Sequence, residues 1–196
     1  MARPTVRAAL AVTGITFGLL VLSTPAMACT PPGGGACGST VVAVDLGAGS
    51  LTLSAPASVT ITGTLGSAAS FQQTMSTVQV QDARGTLAGW SLTALTNGDL
   101  VTATQPVRTI SLGTSALGGP LTLATGVITP VGVSSLLNVS AGTGGSLNPS
   151  QPIPVASAAF GFGGGTYTFT PTVALAPPAN SYAGTYSTTV TFTLTG

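Results

Sequence analysis

The feature that most constrains the fold is a two-residue period. Gly184–Gly196 carries it without interruption: Tyr186, Thr188, Val190, Phe192 and Leu194 fall on one face, and Ser187, Thr189, Thr191 and Thr193 on the other. Successive side chains of a strand point to opposite faces, so the pattern predicts one long, half-buried strand. Thr40–Asp45, Ser50–Ser54 and Ser58–Thr64 carry shorter versions, the last with Val59 and Ile61 on one side. Weaker runs follow at Asp99–Thr104, Thr109–Leu112 and Pro120–Pro130, and Tyr167, Phe169, Val173 and Leu175 resume the period across Pro171. Val131–Pro154, rich in Ser, Gly and Asn, reads as loop with room for one helical turn near Leu136 and Leu137. No segment sustains a 3.6-residue period, and threonine and valine, stiff at χ1 and suited to strands, dominate throughout. The reading is all-β: an antiparallel β-sandwich, or a partly open barrel, of many short strands.

Charge bears on whether such a chain folds at all. Only 4% of the 196 residues are charged, against the usual quarter, while 44% are hydrophobic. Disorder needs the opposite balance, so a folded domain is expected despite the many glycines. The absent residue types exclude chemistry. Without histidine or lysine there is no Ser-His-Asp, Cys-His or Ser-Lys arrangement and no Schiff base. A metal site would lack its commonest ligand, and none is expected, nor is a cofactor. Asp45, Asp82 and Asp99 are the only acidic groups; a pair of carboxylates is the minimum for glycoside hydrolysis, but nothing around them points to it, and the chain reads as non-enzymatic. With no basic patch, nucleic acid is not an expected partner.

The N-terminus reads as an address. Arg3 and Arg7 precede an uncharged apolar run from Ala8 to Leu22, then Ser23-Thr24-Pro25-Ala26-Met27-Ala28. This is the layout of a secretory signal peptide, residues 1–28, with cleavage after Ala28. An uncleaved anchor and a lipoprotein signal acylated at Cys29 stay open, although Ala26 departs from the Leu or Val usual in the latter. No second stretch is long enough to span a bilayer. Residues 29–38 form a flexible segment in which Cys29 and Cys37, exported to an oxidising environment, are expected to form a disulfide. So short a loop adds at most about 2–3 kcal/mol, which protects the new N-terminus and does not staple the fold. Residues 39–196 make the β-domain.

One stretch carries a more specific signal. Val78–Leu95 reads VQVQDARGTLAGWSLTAL: an alternating run, turn chemistry at Asp82–Gly85, then a strand that places Trp90, the only tryptophan, and Leu92 on one face. The segment QDARGTLAGWSLTA resembles the first signature of the WxL domain, a β-rich bacterial cell-surface module. Late in the chain come ASAAFGFGGGTY from Ala156, a proline-marked turn, SYAGTY, and Phe192-Thr193-Leu194 in the place of the second signature. The likeness covers most of the region after Ser39. It departs at Phe192, where the family usually has tryptophan.

The resemblance implies a secreted module held non-covalently on the wall of a Gram-positive bacterium, with peptidoglycan or another wall polymer as partner. On it, Trp90, Leu92, Asp82, Arg84, Phe192, Leu194 and Tyr182 are the candidate wall- or partner-binding residues. Each has a plainer reading beside the functional one. Trp90 is either a core ring, as in many sandwiches, or a flat exposed surface that Tyr167, Tyr182 and Tyr186 would extend. Asp82 and Arg84, two apart on a strand, are either a local ion pair or a polar clamp beside that ring. A different function also fits: with net charge near zero and few charged edge residues, the domain could dock another surface protein or copies of itself.

Overall fold

The computed structural model describes residues 42–196. Fifteen strands follow in chain order. The first five are β1 (Leu51–Ser54), β2 (Phe71–Thr74), β3 (Val78–Asp82), β4 (Trp90–Thr96) and β5 (Leu100–Thr102). The next five are β6 (Thr109–Ile110), β7 (Leu121–Ala124), β8 (Thr129–Val131), β9 (Val139–Ala141) and β10 (Gly145–Ser146). The last five are β11 (Ile153–Ala158), β12 (Gly165–Phe169), β13 (Thr172–Leu175), β14 (Tyr186–Ser187) and β15 (Val190–Thr195). No helix occurs among the described residues. The strands pair antiparallel in three four-stranded sheets, β1-β3-β12-β8, β10-β7-β13-β2 and β15-β4-β11-β9, and one three-stranded sheet, β14-β5-β6. The fold is all-β and sandwich-like, and no sheet closes into a barrel.

Alternation makes this core. Val78 and Val80 of β3, Leu92 of β4 and Tyr167 and Phe169 of β12 all turn inward and are buried, while their neighbours along each strand are more exposed. They join Leu112, Leu123, Leu147, Ile153 and Val155 in a single apolar cluster. A bulge in β11 lets Val155 and Ala156, adjacent in sequence, both face in; it follows Pro154, which has no N–H to give a ladder. Asn148 is buried, and its side chain replaces ladder bonds in the following turn: Oδ1 accepts the N–H groups of Ser150 and Gln151, and Nδ2 donates to the Ser146 carbonyl.

Several sequence expectations shift. The run across Pro171 divides: β12 ends at Phe169 in one sheet, and β13 begins at Thr172 in another. Proline cannot donate to a ladder and restricts the residue before it, so buried Pro171 becomes a corner between sheets. The C-terminal run also divides, β14 pairing with β5 and β15 with β4, although its side-chain faces are as the period requires. Val59 and Ile61 pack half-buried against the core, yet Ser58–Thr64 forms no ladder. Of Thr40–Asp45, Val42–Asp45 are exposed and form no strand, and the rest lies outside the described residues. Short strands β9 and β10 occupy the stretch read as loop. Leu46–Gly196 forms a compact unit of its own. The signal peptide, Cys29 and Cys37 lie outside the described residues. Among the described residues, no helix is long and apolar enough to cross a membrane.

Candidate functional site

The two motifs, about a hundred positions apart, become neighbours. β4 carries Trp90 and Leu92, β15 carries Phe192 and Leu194, and the strands pair antiparallel with Leu92 opposite Leu194 and Ala94 opposite Phe192. Directly opposed residues share a face, so the four apolar side chains form one inward patch. Trp90 and Leu92 are buried because β11 covers the other side of β4. Phe192 and Leu194 are half-buried because β15 is the edge of its sheet.

Beside this patch, two connections cross between the same two sheets. β3 leads to β4 through Ala83–Gly89, and β11 leads back to the sheet of β3 through Ala159–Gly164 into β12. The crossings are bonded to each other. Gly161 N donates to the Leu87 carbonyl at 2.7 Å, and Trp90 Nε1 donates to the buried Gly163 carbonyl at 3.0 Å. The indole also packs on Tyr167, with ring centroids 5.7 Å apart and planes tilted by 51°. Two glycines make this approach possible. Gly163 has φ +87°, and a Cβ there would run into Ala158 Cβ and lie 2.8 Å from Trp90 Nε1; Gly89 has φ +76°, and its Cβ would lie 2.6 Å from the Ala158 carbonyl oxygen.

The same corner is braced electrostatically. Arg84 meets Asp82 through two parallel bonds, Nε to Oδ1 and Nη2 to Oδ2, both 2.9 Å, and its own backbone N–H adds a third at 3.1 Å. Nη2 also donates to the Gly89 carbonyl at 2.7 Å, tying the pair to the residue before Trp90. The hydrogen bond from Arg84 holds the Asp82 carboxyl below its usual range despite the opposing cost of burial, and the guanidinium pKa rises in return. Tyr167 is 1% exposed; its hydroxyl lies 2.9 Å from the Ser135 carbonyl and 3.0 Å from that of Gly164, and burial pushes its pKa up.

The geometry therefore sorts the candidates. Trp90, 3% exposed, is a core ring, and Tyr167, which the sequence offered as an extension of a contact surface, is a core residue too, because both lie on inward faces of paired strands. Asp82 and Arg84 are a local ion pair that fixes a turn. Tyr186 packs half-buried against the core. Tyr182 alone among the candidates presents its ring to solvent, 59% exposed. It lies beside Arg108, whose guanidinium carbon sits 3.5 Å from its ring centroid. Both line an open cleft of about 420 Å³ between β6 and the Pro178–Tyr182 turn.

Sequence reasoning missed the partners that complete the corner, Gly89 and Gly163. The sequence shows the glycine run from Gly161, but not the backbone it must approach. Arg108 was missed as well, since an arginine in a Pro- and Thr-rich stretch carries no local signal. The remaining carboxylate of the compact unit, Asp99, accepts the Leu112 N–H at 2.8 Å. Among the described residues no group of three or more His, Cys, Asp or Glu could hold a metal ion.

A family model described as WxL domain surface cell wall-binding matches residues 52–196, from β1 through β15. No curated protein and no solved structure matches the chain.

Proposed function

Because this chain belongs to the WxL family of surface cell wall-binding domains, we propose that it is a non-enzymatic module held non-covalently on peptidoglycan at the surface of a Gram-positive bacterium, reached by export through residues 1–28. The observation that carries the reading is the extent of the match, which includes both motif strands and the corner between them. Trp90, Leu92, Phe192, Leu194 and the Asp82–Arg84 pair act as the frame: they hold two sheets in register, and contact falls to exposed groups, Tyr182 among them. Few charges and many hydroxyl groups suit recognition by hydrogen bonding and ring stacking.

Co-sedimentation of the purified protein with peptidoglycan sacculi tests this, with an insoluble unrelated polysaccharide as control. The protein is expected to pellet with sacculi only. Remaining in solution, or pelleting with both matrices, refutes it.

A second reading is favoured by one observation. β15, Val-Thr-Phe-Thr-Leu-Thr, is an edge strand with no charged residue or proline to block a further strand. Docking of a second copy or of another surface protein on that edge predicts a concentration-dependent size in light scattering. A monomer at every concentration that still pellets with sacculi removes the self-docking form.

A further inference from the structure

We infer that the cleft between β6 and the Pro178–Tyr182 turn is a subsite for a carboxylate group on a peptidoglycan fragment, taken by Arg108 and seated against Tyr182. The inference rests on the wall-binding reading and names the chemistry of one contact.

Four observations converge on it. First, the Arg108 side chain forms no ion pair or hydrogen bond with any group among the described residues, in contrast to Arg84. Second, its position is set in advance. Thr102 grips the backbone of Arg108 on both sides, Oγ1 accepting its N–H at 2.9 Å and the Thr102 N–H donating to its carbonyl at 3.0 Å, while the guanidinium carbon lies 3.5 Å from the Tyr182 ring centroid. A stacked guanidinium keeps the N–H groups along its edge directed outward, and that planar fork matches a carboxylate with two parallel bonds. Third, the turn that carries the ring is itself held, since the Tyr186 hydroxyl donates to the Tyr182 carbonyl at 3.1 Å and the Ser181 N–H donates to the Pro178 carbonyl at 2.9 Å. Fourth, Ser181 is among the residues that line the cleft, and its hydroxyl oxygen is buried without a protein partner.

The backbone segments that carry the ring and the guanidinium are fixed before the ligand arrives, which lowers the ordering cost of binding. A volume of about 420 Å³ lies within the range of small-ligand sites. The exposed part of Tyr182 offers an apolar surface to a sugar ring or an alanine methyl group, as a short stem peptide on an amino sugar would present. Asp82 is occupied by Arg84 and Asp99 caps the Leu112 N–H, so no carboxylate of the compact unit neutralises Arg108 within 4 Å.

The test titrates the isotope-labelled protein by NMR with muramyl dipeptide, with acetyl-D-alanyl-D-alanine, and with the carboxamide of each. The expected result is saturable shifts at Arg108, Ser181 and Tyr182 with at least one acid, and affinity lower by about tenfold or more for its amide and for the Arg108→Gln variant. Which acid binds tells a stem-peptide terminus from a carboxylate nearer the sugar. Tyr182→Leu is expected to weaken binding, and Arg108→Lys to restore only part, because it keeps the charge and loses the fork. Unchanged far-UV circular dichroism and urea midpoints keep these variants interpretable. Equal affinity for acid and amide, shifts elsewhere, or an Arg108→Gln variant that binds as the parent does overturns the subsite, as does no binding at millimolar ligand. Sacculi sedimentation of the same samples separates the two ideas. Pelleting that survives when the titration fails leaves wall binding standing without this subsite. A parent protein that does not pellet sinks wall binding, and the titration then judges the cleft alone.

Discussion

Replacing Trp90 by phenylalanine probes the corner at its centre. Phenylalanine keeps an aromatic ring against Tyr167 but removes the indole N–H and the second ring. Two losses follow. The Gly163 carbonyl is buried and its side-chain donor is Trp90 Nε1, and leaving such an acceptor unpaired costs about 1–3 kcal/mol. The smaller side chain leaves roughly 40 Å³ unfilled beneath a residue that is 3% exposed, and at ~24 cal/mol per Å³ this adds roughly 1 kcal/mol. The expected sum is about 2–4 kcal/mol, a large share of the 5–15 kcal/mol typical of a domain. Urea unfolding followed by far-UV circular dichroism measures it. The slope should stay constant while the midpoint falls by roughly 1–2 M, given slopes of a few kcal/mol per M. The chain has one tryptophan, so the parent protein supplies a second check: its emission should be blue-shifted and protected from iodide. A cost under about 0.5 kcal/mol at constant slope, or a red, readily quenched emission, refutes the burial argument. A folded Trp90→Phe variant should still pellet with sacculi, since the ring does not face solvent.

Other expectations follow from neighbouring residues. Gly163→Ala forces a left-handed backbone on alanine and drives its Cβ into Ala158 and the Trp90 nitrogen, so it should destabilise by more than 2 kcal/mol on the scale of overpacked cores, visible in the same urea experiment. Asp82 has a folded pKa below its unfolded value, so the unfolded chain takes up the proton first. Its contribution is complete above the unfolded carboxylate range near 4 and is lost as pH falls through the depressed value; Asp82→Asn should flatten the acid side of the stability profile. Tyr167 has a raised pKa, the opposite case: its contribution is complete below about pH 10 and lost at higher pH. Tyr167→Phe should remove that alkaline decline and cost about 1–2 kcal/mol for the hydroxyl's bonds, read from urea midpoints across pH. Tyr182→Ala should shift stability by no more than about 0.5 kcal/mol, since the ring is largely exposed; a larger loss in a thermal melt would mark it as part of the frame.

Much of the fold was legible from local pattern. The inward faces of β3, β4 and β15, the turn after Asp82, and the common face of Trp90 and Leu92 all follow from a period of two, because a strand's geometry ties each side chain to its neighbours one and two residues away. Even where a ladder failed, at Val59 and Ile61, the buried face was the right one. The candidate site was legible only as a set of residue types. Whether Trp90 met solvent or core, and whether Asp82 and Arg84 paired or reached outward, depended on what the second crossing placed against them.

By itself, then, the sequence determined that this is an all-β chain with neither histidine nor lysine, and which residues face inward. Tertiary structure alone decided the partners: that Leu92 lies opposite Leu194, that Pro171 turns the chain from one sheet into another, that Gly163 receives the Trp90 N–H, and that Arg108 lies over Tyr182. The physical reason is the range of the interactions. Alternation is enforced by backbone geometry within a few residues, whereas strand pairing joins segments up to a hundred residues apart, where many pairings satisfy the same pattern and only simultaneous packing of all the sheets selects one.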